Sequence, residues 1–301
     1  TSAANGTIDL GTLASTGAVS VNTNGTTGNA SVVNASALDL AASTVGGTLS
    51  ATATTGGITD SGNVSVAGNV TLNDVAQTGI TLDTLQADAN VILTSAGNTA
   101  LTNDTTLNLE GTVTGTLAAT ATTGNITDSN TLTVSGTTTA TTSAANGTID
   151  LGTLASTGAV SVNTNGATGN ASVINATALD LAASTIGGAL SATATSGGIT
   201  DSGNVSVVGN VTLNDVAQAG ITLDTLQADA NVILTSAGNT ALTNDTTLNL
   251  EGTVTGTLAA TATTGNITDS NTLTVSGTTT ATTTAANGTI DLGTLASTGA
   301  V

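Results

Sequence analysis

The sequence predicts an all-β fold, a parallel β-helix or solenoid, and three observations carry that prediction. A 141-residue unit repeats in tandem, apolar and polar residues alternate with the period of a strand, and Gly and Asn punctuate the short runs between. Stacking near-identical units lets each coil bury its neighbour's faces, which favours a solenoid over a sandwich or barrel.

The repeat comes first. Thr1 to Thr141 returns as Thr142 to Thr282, and a third copy runs from Thr283 to Val301. The expected organisation is copy 1 at 1–141, copy 2 at 142–282 and the start of copy 3 at 283–301, all in one continuous solenoid. The full copies differ only at Thr26/Ala167, Val33/Ile174, Ser36/Thr177, Val45/Ile186, Thr48/Ala189, Thr55/Ser196, Ala67/Val208 and Thr78/Ala219, swaps that keep size and β-compatibility.

Each copy has two halves of about 70 residues. Ile8, Leu10, Leu13, Val19 and Val21 match Ile80, Leu82, Leu85, Val91 and Leu93 at an offset of 72, Leu38 and Leu40 match Leu107 and Leu109 at 69, and Leu49, Ile58, Val64 and Val66 match Leu117, Ile126, Leu132 and Val134 at 68. Drifting offsets with constant internal spacing imply fixed strands joined by turns of variable length.

The strands are legible as pairs such as Val19-Ser20-Val21, Val64-Ser65-Val66, Val70-Thr71-Leu72 and Leu132-Thr133-Val134, whose middle residue points outward. Apolar stripes of helical spacing and length are missing, so no helix is expected. Asn5-Gly6, Asn24-Gly25, Gly46-Gly47, Gly56-Gly57, Gly68-Asn69, Gly97-Asn98 and Gly124-Asn125 mark the turns. Coils of roughly 20 to 24 residues would give about six or seven per copy, and the crossover rule for parallel strands favours right-handed coiling.

Composition suits that architecture and excludes much else. Lys, Arg, His, Cys, Pro, Met, Phe, Trp and Tyr are all absent, and 19 acidic residues give a net charge of −19. Interior coils pair on both sides, so each Pro would delete a ladder bond, and stacked aliphatic side chains make aromatics dispensable. Without imidazole, thiolate, amine or phenol, the usual nucleophile and base pairings cannot be assembled, so no catalytic residues and no enzymatic activity are expected. Nothing offsets phosphates, which argues against nucleic acid as a partner. No apolar stretch is long enough for a transmembrane segment, and no export signal lies within these residues.

Gly57-Ile58-Thr59-Asp60-Ser61 followed by Val64-Ser65-Val66-Ala67-Gly68, and Asn125-Ile126-Thr127-Asp128-Ser129 followed by Leu132-Thr133-Val134-Ser135-Gly136, resemble the repeats of filamentous-haemagglutinin-like giant surface proteins of bacteria. The resemblance spans essentially the whole chain. It implies a right-handed parallel β-helix, an extracellular or cell-surface location, and a role as an adhesin shaft or extracellular fibre. The partners implied are further copies of the same repeat, and like rods or host and matrix glycans reached through segments outside this one.

Several residues invite a sharper reading. Asp60, Asp128, Asp201 and Asp269 persist across the half-repeat and are the candidates for binding Ca²⁺; the plainer alternative is an Asp side chain closing its own turn. No other cofactor is expected. Asp83 with Asp88, and Asp104 with Glu110, are the acids available to a glycosidase, but the chain offers no aromatic platform for a sugar, and solvated outward acids account for them. Thr52-Ala53-Thr54 and Thr120-Ala121-Thr122 would matter as a regular array only if repeated on consecutive coils. N-glycosylation sequons begin at Asn5, Asn24, Asn29, Asn34, Asn63, Asn69, Asn103 and Asn125, only a few more than chance provides. The function expected is a non-enzymatic rod segment, with a glycan- or Ca²⁺-binding extracellular repeat as the alternative.

Overall fold

A computed structural model describes residues 1–301, apart from the side chains of Ser95 and Ser236. Among the described residues every regular element is a β-strand, and the pairings between neighbouring turns are parallel. The fold is the predicted parallel β-solenoid. It divides into two compact units, Thr1–Ala144 with Thr153–Gly158, and Ala145–Gly152 with Ala159–Val301.

In the first unit one sheet stacks Ile8–Leu13, Ala30–Asn34, Leu49–Ala53, Val70–Asp74, Asn90–Ala96, Leu107–Val113 and Ile126–Val134 in that order. Between these strands the chain crosses to a second sheet, through Leu38–Leu40 and Ser43–Val45, Ile58–Asp60 and Val64–Val66, Ile80–Ala87, Thr99–Asn103, Leu117–Ala121 and Thr138–Ala145. Ile8 faces Ala30, Ala30 faces Leu49, Leu49 faces Val70, Val70 faces Val91 and Val91 faces Leu109, so successive turns differ in length. Several, among them those from Ala30 to Leu49, from Val91 to Leu109 and from Thr99 to Leu117, fall below the roughly 20 to 24 residues expected of a coil. Tight corners and bulges absorb the variation there, and long loops are not needed.

The second unit repeats the plan. Its first sheet stacks Ala171–Asn175, Leu190–Ala194, Val211–Asp215, Asn231–Ala237, Leu248–Val254 and Ile267–Val275, and its second contains Ile199–Asp201, Val205–Val207, Ile221–Ala228, Thr240–Asn244, Leu258–Ala262 and Thr279–Thr283.

The alternation read from sequence is the burial pattern. Val64-Ser65-Val66 and Val70-Thr71-Leu72 bury both outer residues completely and turn the middle one outward. In-register pairing stacks the inward residues into columns, Leu10–Val32–Ala51–Leu72–Leu93 in the first sheet and Leu38–Ile58–Ile80–Thr99–Leu117–Thr138 in the second. Small Ala51 sits between Val32 and Leu72, and Thr99 between Ile80 and Leu117, so no aromatic is needed to fill the lumen. Each fully buried Leu, Ile or Val contributes about 1.5–3 kcal/mol.

The half-repeat has a consequence that residue spacing hides. Ile8 and Leu49 lie in the first sheet, whereas their equivalents Ile80 and Leu117 lie in the second. A half-repeat is therefore three and a half turns, and equivalent residues alternate between the two sheets.

Gly111 marks a bulge where register shifts between Leu109 and Gly111. Its φ is +109°, and a Cβ there would collide with the Leu93 carbonyl oxygen, so a residue without a side chain is required. Gly252 repeats this against Leu234, with φ +108°.

Candidate functional site

Asp60 ends the strand Ile58–Asp60, at a corner facing the longer strand Ile80–Ala87 of the next turn. Its carboxylate accepts the backbone N–H groups of Asp83 and Thr84 and the Thr84 hydroxyl, each at 2.9 Å. Asp201 does the same with Asp224 and Thr225, again at 2.9 Å. The backbone there leaves the ladder between its two paired segments, freeing N–H groups that a carboxylate one turn below can accept.

Asp128 and Asp269 do a related job from the other sheet. Asp128 accepts the Thr153 N–H at 3.1 and 3.2 Å while the Thr153 hydroxyl donates to the Asn130 carbonyl at 2.6 Å. Asp269 accepts the Thr294 N–H at 3.0 and 3.3 Å, and the Thr294 hydroxyl donates to the Asn271 carbonyl. Each carboxylate closes a corner in the following turn, not its own, because a parallel stack brings together residues about one turn apart.

Asp60 and Asp201 thus accept N–H and O–H donors, and Asp128 and Asp269 accept N–H donors. Asp60 and Asp128 belong to different sheets of their unit and are not gathered into one ligand set. Among the described residues no group of three or more Asp, Glu, His or Cys side chains stands together as a metal cluster.

Of the other acids, one pair shares a groove and the rest lie apart. Asp224 and Asp245, the copy-2 equivalents of Asp83 and Asp104, line one shallow groove of about 300 Å³ with Asn204, Thr225, Thr243 and Thr263. Glu110 is held by the Asn130 side chain, and Glu251 by Asn271. Asp88 lines a separate groove with Asn90, Asn108 and Thr127.

The sequence marks Asn34 and Asn103 only as sequons, and the structure places them among its buried polar residues. Both are fully buried, as are Asn175 and Asn244. Asn34 Oδ1 accepts the Ser15 N–H at 2.8 Å, and its Nδ2 donates to the carbonyls of Ser15 at 2.9 Å and Ala37 at 2.6 Å. A signal is present in the sequence: Asn34 and Asn103 each stand at the same distance before Leu38 and Leu107, a half-repeat pair.

Threonine columns also emerge that spacing conceals. Thr102, Thr120 and Thr141 are register partners on consecutive turns, as are Thr243, Thr261 and Thr282. Ala100 and Ala118 flank the first column, so the paired-threonine pattern is not continuous. No described helix is long and apolar enough to cross a membrane.

A family model described as repeats of unknown function (DUF5649) matches residues 27–96, 96–163, 168–240 and 237–301, four tandem matches each about half a copy long. No curated protein matches the chain, and no solved structure does.

Proposed function

We propose a non-enzymatic, structural role for this chain, which belongs to the family of repeats of unknown function (DUF5649): a shaft segment of a giant exported bacterial surface protein, serving as an adhesin stalk or extracellular fibre. One observation carries the reading. Asn34, Asn103, Asp60 and Asp128 each hydrogen-bond to a neighbouring turn of the solenoid, and they do not converge on a reaction centre. Such bonding strengthens the stack turn by turn, which is what a stalk or spacer requires. Of the acids that would serve hydrolysis, Asp224 and Asp245 share a groove and Asp88 lies in another, but the chain supplies no aromatic platform and no metal cluster stands among the described residues. Export and surface exposure rest on the resemblance of the segments at 57–68 and 125–136 to filamentous-haemagglutinin-like repeats.

Antibodies raised against the 301-residue chain test the location. Labelling of intact cells of the source bacterium, lost after mild surface proteolysis, is the expected result. Labelling only after permeabilisation would overturn the surface assignment. Hydrolysis of any member of a polysaccharide panel by the purified chain, abolished by Asp83→Asn or Asp104→Asn, would overturn the structural one.

A further inference from the structure

We propose that the groove lined by Asp88, Asn90, Asn108 and Thr127, with its copy-2 counterpart at Asp229, Asn231, Asn249 and Thr268, binds a primary alkylammonium group, carried by a polyamine or by a lysine side chain of a partner protein. The groove encloses about 400 Å³, and its remaining lining residues, Ala89, Thr105 and Thr106, carry no charge. Asn90, Asn108 and Thr127 are register partners on three consecutive strands, so they climb the groove in steps of about 4.8 Å.

What the groove offers a ligand is set by a chain of amides. Asn108 Nδ2 donates to Asn90 Oδ1 at 2.8 Å, and Asn90 Nδ2 donates to Ser129 Oγ at 3.1 Å. That arrangement uses the Asn108 donor and leaves its Oδ1, shielded from solvent, with no donor. The Asp88 carboxylate and the Thr127 hydroxyl likewise have no hydrogen-bond partner among the described residues. The second copy keeps the amide pair and the donorless oxygen: Asn249 Nδ2 donates to Asn231 Oδ1 at 2.8 Å and Asn249 Oδ1 has no donor, while the serine bond there comes from Asn249, which donates to Ser270 Oγ at 2.9 Å.

The Asp88 carboxylate and the Thr127 hydroxyl line the groove with no partner among the described residues, and the solvent-shielded Asn108 Oδ1 in its wall lacks a donor, a surface that suits a group with N–H donors, one positive charge and no acceptor, which is the inventory of a primary ammonium. The rest of the chain adds attraction without competition, since it carries 19 acids and no Lys, Arg or His. Ca²⁺ fits less well because it takes six to eight oxygens, usually with several carboxylates, and this groove supplies one.

Isothermal titration of the 301-residue chain with spermidine and with a short lysine-containing peptide tests the assignment. Expected is saturable binding with one site per full copy. The double variant Asp88→Asn, Asp229→Asn should weaken it about fivefold or more, and the charge-matched double variant Asp9→Asn, Asp150→Asn by less than about twofold. Circular dichroism on both variants checks that the fold is intact. Binding of the peptide alone supports a partner's lysine as the source, and binding of spermidine alone supports a free polyamine. Equal weakening by the two double variants would reduce the effect to diffuse attraction and overturn the site. So would the absence of binding by either probe, or stoichiometric displacement of both by Ca²⁺.

Discussion

The side-chain amide of Asn103 pairs with both backbone groups of Ala87, accepting its N–H at 2.7 Å and donating to its carbonyl at 3.0 Å. A side chain here replaces a strand partner: where the backbone turns the corner, the amide continues the ladder to the turn below. Its Nδ2 also reaches the Thr105 hydroxyl and the Thr106 carbonyl, closing the corner itself.

Asn103→Ala should therefore leave the buried N–H of Ala87 unpaired, with its C=O keeping only the Thr105 hydroxyl at 3.3 Å, and destabilise the fold by about 1–3 kcal/mol. Asn103→Asp should be worse, since a carboxylate has no donor for Ala87 or Thr106 and is buried as a charge. Urea denaturation followed by circular dichroism should show a lower midpoint for both, the Asp variant lowest. Asn244→Ala, with the same bonds to Ala228 at 2.7 and 3.0 Å, should reproduce the first result.

Asp60→Ala should cost about 1–2 kcal/mol by removing the acceptor for Asp83, Thr84 and the Thr84 hydroxyl, with the figure reduced by partial exposure. Asp60→Asn keeps one carbonyl oxygen and should fall between. The sensitive measurement is amide hydrogen exchange at Asp83 and Thr84, which should accelerate while exchange at buried Ile58 stays slow.

Thr138→Val should stabilise the fold by about 1 kcal/mol. The Thr138 hydroxyl is buried without a partner beside Leu117, so replacing it with a methyl group of similar size removes a desolvation cost and adds apolar contact. Thr99→Val should gain less, because that hydroxyl donates to the Gly97 carbonyl at 3.2 Å. Thermal melts of the two variants should rank Thr138→Val above Thr99→Val.

Moderate NaCl should raise the thermal midpoint. All 19 charged side chains are acidic, so screening relieves repulsion and breaks no side-chain ion pair. A midpoint that falls between low salt and about 0.5 M NaCl would show that electrostatic attraction, rather than neutral ladders and aliphatic stacks, holds the turns together.

The strands were legible because alternation is local. Val64-Ser65-Val66 declares its buried face within one short run, and the Gly and Asn pairs declare where runs end. The role of Asp60 was not legible, because its partners Asp83 and Thr84 lie a full turn ahead and become neighbours only when the turn length is known. Asn34 and Asn103 were hidden for the same reason, and a sequon pattern competed for the same residues. Thr102, Thr120 and Thr141 are unevenly spaced along the chain, so no constant period reveals their column.

Sequence by itself determined the repeat, the strand character, the inward residues of each run and the absence of any cation to pair with 19 acids. Tertiary structure decided which face each half-repeat occupies. Ile8 and Ile80 are equivalent in sequence yet lie in different sheets, because the first sheet advances through Ala30, Leu49 and Val70 before the chain crosses over to place Ile80. Residue number becomes position in a solenoid only through the lengths of its turns, and those lengths are set where bulges such as Gly111 and corners such as Asn103 shift the hydrogen-bond register between neighbouring strands.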